Sequence, residues 1–204
     1  MTPMRLLSLT LALMLLPVAA HAKPLKTNQK KCWDAAGNVI SCAGTGHDGE
    51  LRKGKRRAYV DNGNGTITDS GTGLVWEKLD EAGGIHDKDN IYTWTTTVTE
   101  KIATLNTPPC FAGRCDWRLP NINELRSLVD YGRFPPIPPE FASSCTAGCS
   151  IATCSCNKTF GYWSSSTYKL YPDQAWIVYF TIGYTAPVQK TSGDYVRAVR
   201  GRSS

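Results

Sequence analysis

The chain has 204 residues, with 23 Lys and Arg against 17 Asp and Glu, a formal net charge of +6, and eight Cys. This length fits one domain with a single hydrophobic core. Beyond the N-terminal segment, no run approaches the roughly 18 consecutive apolar residues of a transmembrane helix, which argues against a membrane span in the rest of the chain.

The first 22 residues are predicted to be a signal peptide. Arg5 precedes an apolar run over residues 6–16 that is too short to span a bilayer. Residues 20–22, with the sequence AHA, offer the small side chains that a signal peptidase accepts, so the mature chain is expected to begin at Lys23. We therefore expect a periplasmic or secreted protein, with no membrane insertion after signal cleavage.

An even number of Cys in an exported chain predicts disulfide bonds, because the periplasm and the extracellular medium are oxidising. Cys32 and Cys42 flank an Ala-Ala-Gly-Asn turn, as the two arms of a hairpin would. Cys110 and Cys115 enclose only four residues. These spacings predict one bridge within each pair.

The remaining Cys145, Cys149, Cys154 and Cys156 lie within a span of 12 residues. A bond between Cys154 and Cys156 would be strained, so we expect the four to pair in another way and staple a long loop. The alternative is a zinc site of four thiolates, whose ligand spacing is only loosely matched here.

Residues 23–57 are predicted to form the disulfide hairpin and an exposed basic connector. Five positive charges fall within six residues of that connector, at Arg52, Lys53, Lys55, Arg56 and Arg57. Such clusters can hold sulfated polysaccharide or nucleic acid. An exported protein is expected to meet the polysaccharide and not nucleic acid. The alternative is a solvated linker, and any binding here must weaken steeply with salt.

Residues 59–78 alternate short β-branched or aromatic runs with Asn-Gly and Gly-Thr-Gly, which predicts three short antiparallel strands. A turn is favoured over a calcium loop at residues 61–65, because Gly63 and Gly65 stand where oxygen ligands are needed. Apolar residues at helical spacing predict a helix over residues 94–105, where Thr97 and Glu100 resemble a capping box.

A second helix is predicted from Asn121 as the N-cap and Glu124 three residues later, ending near residues 130–132. Residues 131–161, rich in Pro, Ser and Cys, are predicted to be a long loop closed by disulfides. Alternating patterns then predict four strands, at residues 162–168, 175–182, 184–190 and 195–200. Because strands and helices are segregated along the chain, the fold class is predicted to be α+β.

The six Trp and nine Tyr have two interpretations, a hydrophobic core or sugar-stacking surfaces. Most of the Trp fall in predicted elements and are assigned to the core: Trp76, Trp94, Trp117, Trp163 and Trp176. Tyr residues near strand ends and charges are better surface candidates, at Tyr168, Tyr171 and Tyr184.

Motifs for catalysis are scarce. His47 and His86 lie in polar connectors, and the Ser cluster at residues 164–166 has no base that the sequence identifies. No nucleophile elbow, metalloprotease helix, phosphate loop or dinucleotide fingerprint is present. The sequence therefore predicts no catalytic residue, no metal-ligand residue and no cofactor, and whether a metal ion is bound stays open.

Five segments carry a family resemblance: DNGNGTITDSGTGLVWEK (61–78), DWRLPNINELRSLVDY (116–131), YWSSSTY (162–168), AWIVYF (175–180) and YVRAVRG (195–201). Together, in this order, they closely resemble the Lcl C-terminal-type domain family, which would occupy residues 58–204. The resemblance implies a C-type-lectin-like fold, similar to the formylglycine-generating enzyme superfamily. It also implies structural roles for Arg118, Glu124 and Arg200, which would fix the helix against the terminal strands.

The resemblance extends to function. The relative that names the family is the binding end of a trimeric, collagen-like bacterial adhesin that attaches to sulfated glycosaminoglycans. The formylglycine enzymes need a copper-binding Cys pair in their C-terminal part, and no Cys follows Cys156 here.

We therefore predict an exported, non-enzymatic module that binds anionic or other surface glycans. The predicted ligand-binding residues are the five cations of residues 52–57 together with Tyr168, Lys169, Tyr171 and Lys190. The alternatives are an envelope module that contacts another protein and, third, an enzyme of the formylglycine-generating superfamily. Whether the chain forms a homo-oligomer stays open.

Overall fold

The structure, a computed structural model, describes residues 24–201. The predicted signal peptide, residues 1–22, lies outside the described residues. The described residues contain nine short strands: β1 (Cys32–Trp33), β2 (Val39–Ile40), β3 (Tyr59–Asp61), β4 (Thr66–Asp69), β5 (Val75–Glu77), β6 (Gly161–Thr167), β7 (Gln174–Tyr179), β8 (Tyr184–Gln189) and β9 (Val199–Arg200).

The helical segments are all short. Four are α-helical: α1 (Asp48–Leu51), α2 (Trp94–Thr96), α3 (Ala103–Leu105) and α4 (Ile122–Arg126). A π-helical turn, Thr97–Ile102, joins α2 to α3, and two 3₁₀ turns cover Phe111–Gly113 and Pro139–Phe141. None of the helices in residues 24–201 has the length and apolar character needed to cross a bilayer.

The strands form three antiparallel sheets. β1 and β2 make a hairpin, β3-β4-β5-β9 make a four-stranded sheet, and β6-β7-β8 make a three-stranded sheet. Helices and strands are segregated along the chain, as predicted, so the α+β fold class is confirmed. The likeness to C-type lectins remains a prediction from the family resemblance.

The segment before β9 connects the two larger sheets. Tyr195 pairs with Tyr162 of β6, while Val199 and Arg200 pair with β5. The predicted strand over residues 195–200 is therefore wrong in length, because the segment leaves one sheet to reach the other after residue 195. Between those points Val196 and Ala198 are buried, so the crossing passes through the core.

The predicted helix over residues 94–105 is present, but its predicted cap is wrong. The N-cap is Thr93, whose hydroxyl oxygen accepts the Thr96 N–H at 3.2 Å. Thr97 is buried inside the helix, where its hydroxyl donates to the Thr93 carbonyl at 3.0 Å. The π-helical geometry of the middle turn was not predicted.

The capping box of α4 is confirmed. The Asn121 side chain accepts the Glu124 N–H at 3.0 Å, and the Glu124 carboxylate accepts the Asn121 N–H at 2.8 Å. The predicted end near residues 130–132 is wrong. α4 ends at Arg126, because the N–H groups of the next turn bond to carbonyls three residues back and turn the chain inward, which buries Leu128 and Val129.

Replacing Asn121 by Ala is expected to lower the free energy of unfolding by about 1 kcal/mol, because two N–H groups of the first helical turn lose their acceptor. Urea denaturation followed by circular dichroism measures the change. Asn123→Ala is the matched control, since Asn123 is an exposed residue within the same helix. An equal loss of stability in both variants would contradict the capping role.

All four disulfide bonds are formed. The predicted Cys32–Cys42 and Cys110–Cys115 bridges are confirmed. The remaining four Cys form two nested bridges, Cys145–Cys156 around Cys149–Cys154, so the expected stapling of the loop is confirmed. Their sulfur atoms are held in covalent pairs, which leaves no thiolate for the alternative zinc site in this state.

Candidate functional site

A groove of about 900 Å³ opens where three segments meet. One wall is an N-terminal strap, residues 26–33, and the second is the basic connector, residues 48–57. The third is the loop that follows α4, residues 130–140. All three are short or irregular segments, so the groove depends on how they pack together.

Backbone contacts fix the strap in place. The Lys26 N–H donates to the Lys55 carbonyl at 2.9 Å, and the Lys55 N–H donates to the Pro24 carbonyl at 2.8 Å. On the opposite side, the Asn28 amide donates to the Asp130 carboxylate at 3.0 Å. The strap therefore bridges the connector and the loop after α4.

One glycine makes the close approach of the strap and the connector feasible. Gly54 has a φ of +112°, and a Cβ at this position would lie 2.6 Å from the Pro24 carbonyl oxygen. Both the backbone conformation and the lack of space require glycine here. The Gly in the middle of the basic run is thus explained by packing.

The groove is lined mainly by positive charge. Seven Lys and Arg face three Asp and Glu, and the cations are Lys26, Lys30, Lys31, Arg52, Arg56, Arg57 and Arg133. Two of the acids are already bonded within the protein. The Thr27 hydroxyl donates to Asp48, and the Asn28 amide donates to Asp130. The groove therefore presents a net positive surface to a ligand.

Two exposed aromatic side chains accompany the cations. Trp33 and Tyr131 both line the groove and are exposed at its surface. Exposed Trp and Tyr rings present flat, amphipathic faces, on which a sugar ring can stack. Cations that bind sulfate or carboxylate oxygens, next to aromatic faces, provide the chemistry needed to hold an anionic sugar.

The five cations predicted in residues 52–57 have different surroundings. Arg52, Arg56 and Arg57 line the groove, whereas Lys53 and Lys55 do not. The Arg57 guanidinium donates to the carbonyls of Ser127 and Val129, so it also anchors the short segment that joins α4 to the loop over residues 130–140.

Lys55 and Arg52 have part of their side chains engaged within the protein. The Lys55 ammonium donates to the Gly71 carbonyl at 2.5 Å, away from the groove. The Arg52 Nε donates to the Gly49 carbonyl at 2.9 Å. Arg56 is exposed within the groove and is the clearest ligand-binding candidate of the five.

The second predicted face lies apart from the groove lining. Tyr168 and Tyr171 pack together with ring centroids 5.8 Å apart at the turn between β6 and β7. Lys190 lies over the Trp94 ring, 4.3 Å from its centroid, and donates to the Thr167 hydroxyl at 2.9 Å. Lys169 is exposed on the same turn. The structure therefore divides the predicted ligand-binding residues into two regions.

The sequence model of one protein family, the Lcl C-terminal domain, matches residues 65–200, about two thirds of the chain. The chain belongs to the Lcl C-terminal domain family. Among curated proteins, none matches the chain. The match covers every strand from β4 onward.

The groove lies at one border of this Lcl C-terminal domain. Of its three walls, only the loop over residues 130–140 falls within the matched segment. The strap and the basic connector precede the match, so they add most of the positive charge from outside it. The groove is thus assembled jointly by the family domain and the N-terminal extension of this chain.

Most of the groove lining was not predicted from the sequence. The unpredicted members include Lys30 and Lys31 on the strap, Trp33 beside them, and Tyr131 and Arg133 on the loop. A Lys-rich segment before the first Cys was the one available signal. The rest depends on contacts between residues about 100 positions apart, such as Asn28 with Asp130.

A second, more apolar recess of about 490 Å³ lies beside the Lcl domain's capping box. Arg118 lines it, but the Arg118 guanidinium donates to both Glu124 oxygens at 2.8 Å and to the Gly201 carbonyl at 2.9 Å. Burial raises the pKa of Glu124, yet Arg118 and the Asn121 N–H outweigh it and lower the pKa below its usual value. These contacts tie α4 to the backbone just after β9.

Arg200 is the third residue with an implied structural role, and it packs beside Asp116 and Trp117. Its guanidinium lies 3.8 Å from the Asp116 carboxylate and 5.9 Å from the centroid of the Trp117 ring. The side chain thus contacts the residues just before Arg118, while its backbone pairs with Val75 in β5.

The Ser cluster is engaged with the backbone. The Ser164 hydroxyl donates to the Trp176 carbonyl at 2.6 Å, and the Ser165 hydroxyl to the Pro120 carbonyl at 3.3 Å. The Ser166 hydroxyl oxygen accepts the Ile122 N–H at 3.1 Å. Each hydroxyl thus fastens β6 to a neighbouring segment.

His86 also has a structural partner. Its Nδ1 lies 2.7 Å from the Glu77 carboxylate, and its ring lies 4.3 Å from the centre of the Phe111 ring. Glu77 is fully buried and lies opposite Lys101 as well. This cluster belongs to the core.

Proposed function

We propose that this chain is an exported, non-enzymatic binding module that holds anionic glycans, above all sulfated ones, in the groove between the strap, the basic connector and the loop after α4. The observation that supports this best is the convergence of seven cations and two exposed aromatic rings on one recess. Sulfate oxygens accept charge-assisted hydrogen bonds from Arg and Lys, and the sugar ring supplies a face for stacking.

Two further observations favour this proposal. All eight Cys are joined in disulfides, which are typical of proteins in an oxidising compartment, where surface polysaccharides are found. The adhesin that names the family also attaches to sulfated glycosaminoglycans. The periplasm or the extracellular medium is accordingly the proposed location.

Heparin chromatography with a salt gradient tests the proposal. The wild-type protein is expected to be retained at low salt and to elute as salt screens the charges. A groove variant replaces four exposed cations by Ala, at Lys30, Lys31, Arg56 and Arg133. If each contact contributes about 0.5 kcal/mol, the four together weaken binding by roughly 30-fold.

A control variant separates groove binding from general charge attraction. It replaces four exposed cations outside the groove by Ala, at Lys53, Arg114, Arg126 and Lys169, and so makes the same change in net charge. The control should elute close to the wild type, whereas the groove variant should elute at much lower salt. Equal shifts in both variants, or wild-type protein that flows through at low salt, would reject the proposal. If the wild-type protein flows through, the next ligands to test for the groove would be proteins with acidic surfaces.

A further inference from the structure

Three large apolar side chains stand exposed close to the groove. Phe134 is 81% exposed, Ile182 63% and Tyr184 47%. Phe134 directly follows Arg133, which lines the groove. Ile182 and Tyr184 belong to the turn between β7 and β8 and to the first position of β8. These three residues form the apolar rim.

Direct contacts join the two loops that carry the apolar rim. The Tyr131 hydroxyl donates to the Gly183 carbonyl at 3.2 Å. A Cβ at Gly183 would lie 2.7 Å from a Val129 methyl group and 3.4 Å from the Pro136 ring, so the turn packs closely on the loop after α4. Tyr131 itself lines the groove. The cationic groove and the apolar rim are therefore continuous through Tyr131.

A soluble polysaccharide would use the cations but would leave the apolar rim in water. The free energy of exposed Phe and Ile side chains falls when they move from water into an apolar environment. Proteins that bind at membrane surfaces combine basic residues, which attract anionic headgroups, with aromatic and aliphatic side chains that enter the interface. Here the groove supplies the basic residues, and the apolar rim supplies the aromatic and aliphatic side chains.

We propose that the anionic glycan held in the groove is carried on a membrane, as the charged sugar headgroup of a glycolipid, and that Phe134 and Ile182 enter the lipid interface beside it. This inference rests on the proposed function, because the same cations bind the headgroup. It adds the class of ligand, a membrane-borne sulfated or otherwise anionic glycolipid. It also orients the protein, with the loop after α4 and the turn between β7 and β8 facing the bilayer.

Vesicle co-sedimentation tests this inference with matched lipids. One set of vesicles contains phosphatidylcholine with sulfated galactosylceramide, and the other contains phosphatidylcholine with unsulfated galactosylceramide. The full-length mature protein is expected to sediment with the sulfated vesicles and at least tenfold less with the unsulfated ones. Equal binding to both sets would overturn the role of the anionic headgroup.

Two variants test the apolar rim. Phe134→Ser with Ile182→Ser is expected to reduce binding to sulfated vesicles at least tenfold while its elution from heparin stays unchanged. The control, Val60→Ser with Leu170→Ser, removes exposed apolar side chains elsewhere and should bind like the wild type. Since all four residues are exposed, the folds should be kept, and circular dichroism checks this. Wild-type binding by the rim variant would overturn the inference.

The outcomes distinguish the two proposals. Protein that is retained on heparin but ignores sulfated vesicles overturns the membrane inference and leaves the glycan proposal standing. Protein that binds neither rejects both. If the rim is instead covered by a second copy of the chain, light scattering will detect a dimer that the rim variant dissociates, and vesicle binding will be absent. That result would also overturn the inference.

Discussion

Replacing Lys101 by Met is expected to lower the free energy of unfolding by about 3–5 kcal/mol, because it leaves a buried carboxylate without its main partner. Glu77 is 0% exposed and Lys101 is 1% exposed. The Lys101 ammonium lies 2.5 Å from one Glu77 oxygen, and the other oxygen accepts the Ala198 N–H at 3.0 Å. His86, 2.7 Å from a Glu77 oxygen, and the buried Arg197, whose charge also acts on Glu77, would remain beside the carboxylate.

The protonation of Glu77 gives this prediction a pH dependence. Burial raises the pKa of Glu77, but the Lys101 ammonium and His86 outweigh it and lower the pKa from its usual 4.5 to about 2. The ionised form of Glu77 is therefore stabilised more in the folded protein than in the unfolded chain. Its contribution to stability is complete above pH 4.5 and is lost as the pH falls from there toward 2.

Urea denaturation at pH 7 and pH 3.5 checks both expectations. The deficit of Lys101→Met should be largest at pH 7 and smaller at pH 3.5, where Glu77 in the variant can take up a proton. Lys169→Met is the control, since Lys169 is exposed. A double-mutant cycle with Glu77→Gln isolates the energy of the pair. A loss below 1 kcal/mol at pH 7 would show that the pair does not stabilise the fold.

Local features of the fold could be predicted from the sequence. The Asn121–Glu124 capping box and the Cys32–Cys42 hairpin each depend on residues no more than ten positions apart. The three strands between residues 59 and 78 follow from turn residues that lie between them. In each case the residues that specify the structure are also the ones that form it.

The buried ion pair shows why other features could not be predicted. Glu77 ends a strand and Lys101 belongs to a polar, Thr-rich helix, so either would be expected at the surface. They meet because two elements 24 residues apart pack together. The π-helical turn that carries Lys101 leaves no recognisable pattern in the residues.

The candidate site was predicted in part for the same reason. The basic run over residues 52–57 is visible as composition, but composition cannot tell which cations face a common recess. Packing decides that: Arg57 bonds to Val129 and Lys55 to Gly71, while Arg56 faces the groove. Lys31 and Arg133 join Arg56 because the strap lies against that loop, a contact between distant parts of the chain.

Removing the outer of the two nested disulfides should also destabilise the protein strongly. Cys145→Ser with Cys156→Ser opens a bridge between residues 11 positions apart, and Cys149→Ser with Cys154→Ser opens one between residues 5 apart. Chain entropy alone predicts losses of about 3 and about 2 kcal/mol, because a longer closed loop restricts the unfolded chain more.

The surroundings of Cys156 add to the cost of removing the outer bridge. The Cys156 N–H donates to the Leu79 carbonyl at 2.7 Å, and the buried Arg197 guanidinium donates to the Cys156 carbonyl at 2.6 Å. Loosening this end would expose Arg197 and the adjoining core, whereas the inner bridge closes a shorter loop. The midpoint of thermal denaturation should therefore be highest for the wild type, lower for the variant without the inner bridge and lowest for the variant without the outer bridge. The opposite order would contradict this account.

Each of the two disulfide variants, where it remains folded, should be retained on heparin like the wild type, because residues 145–156 do not line the groove.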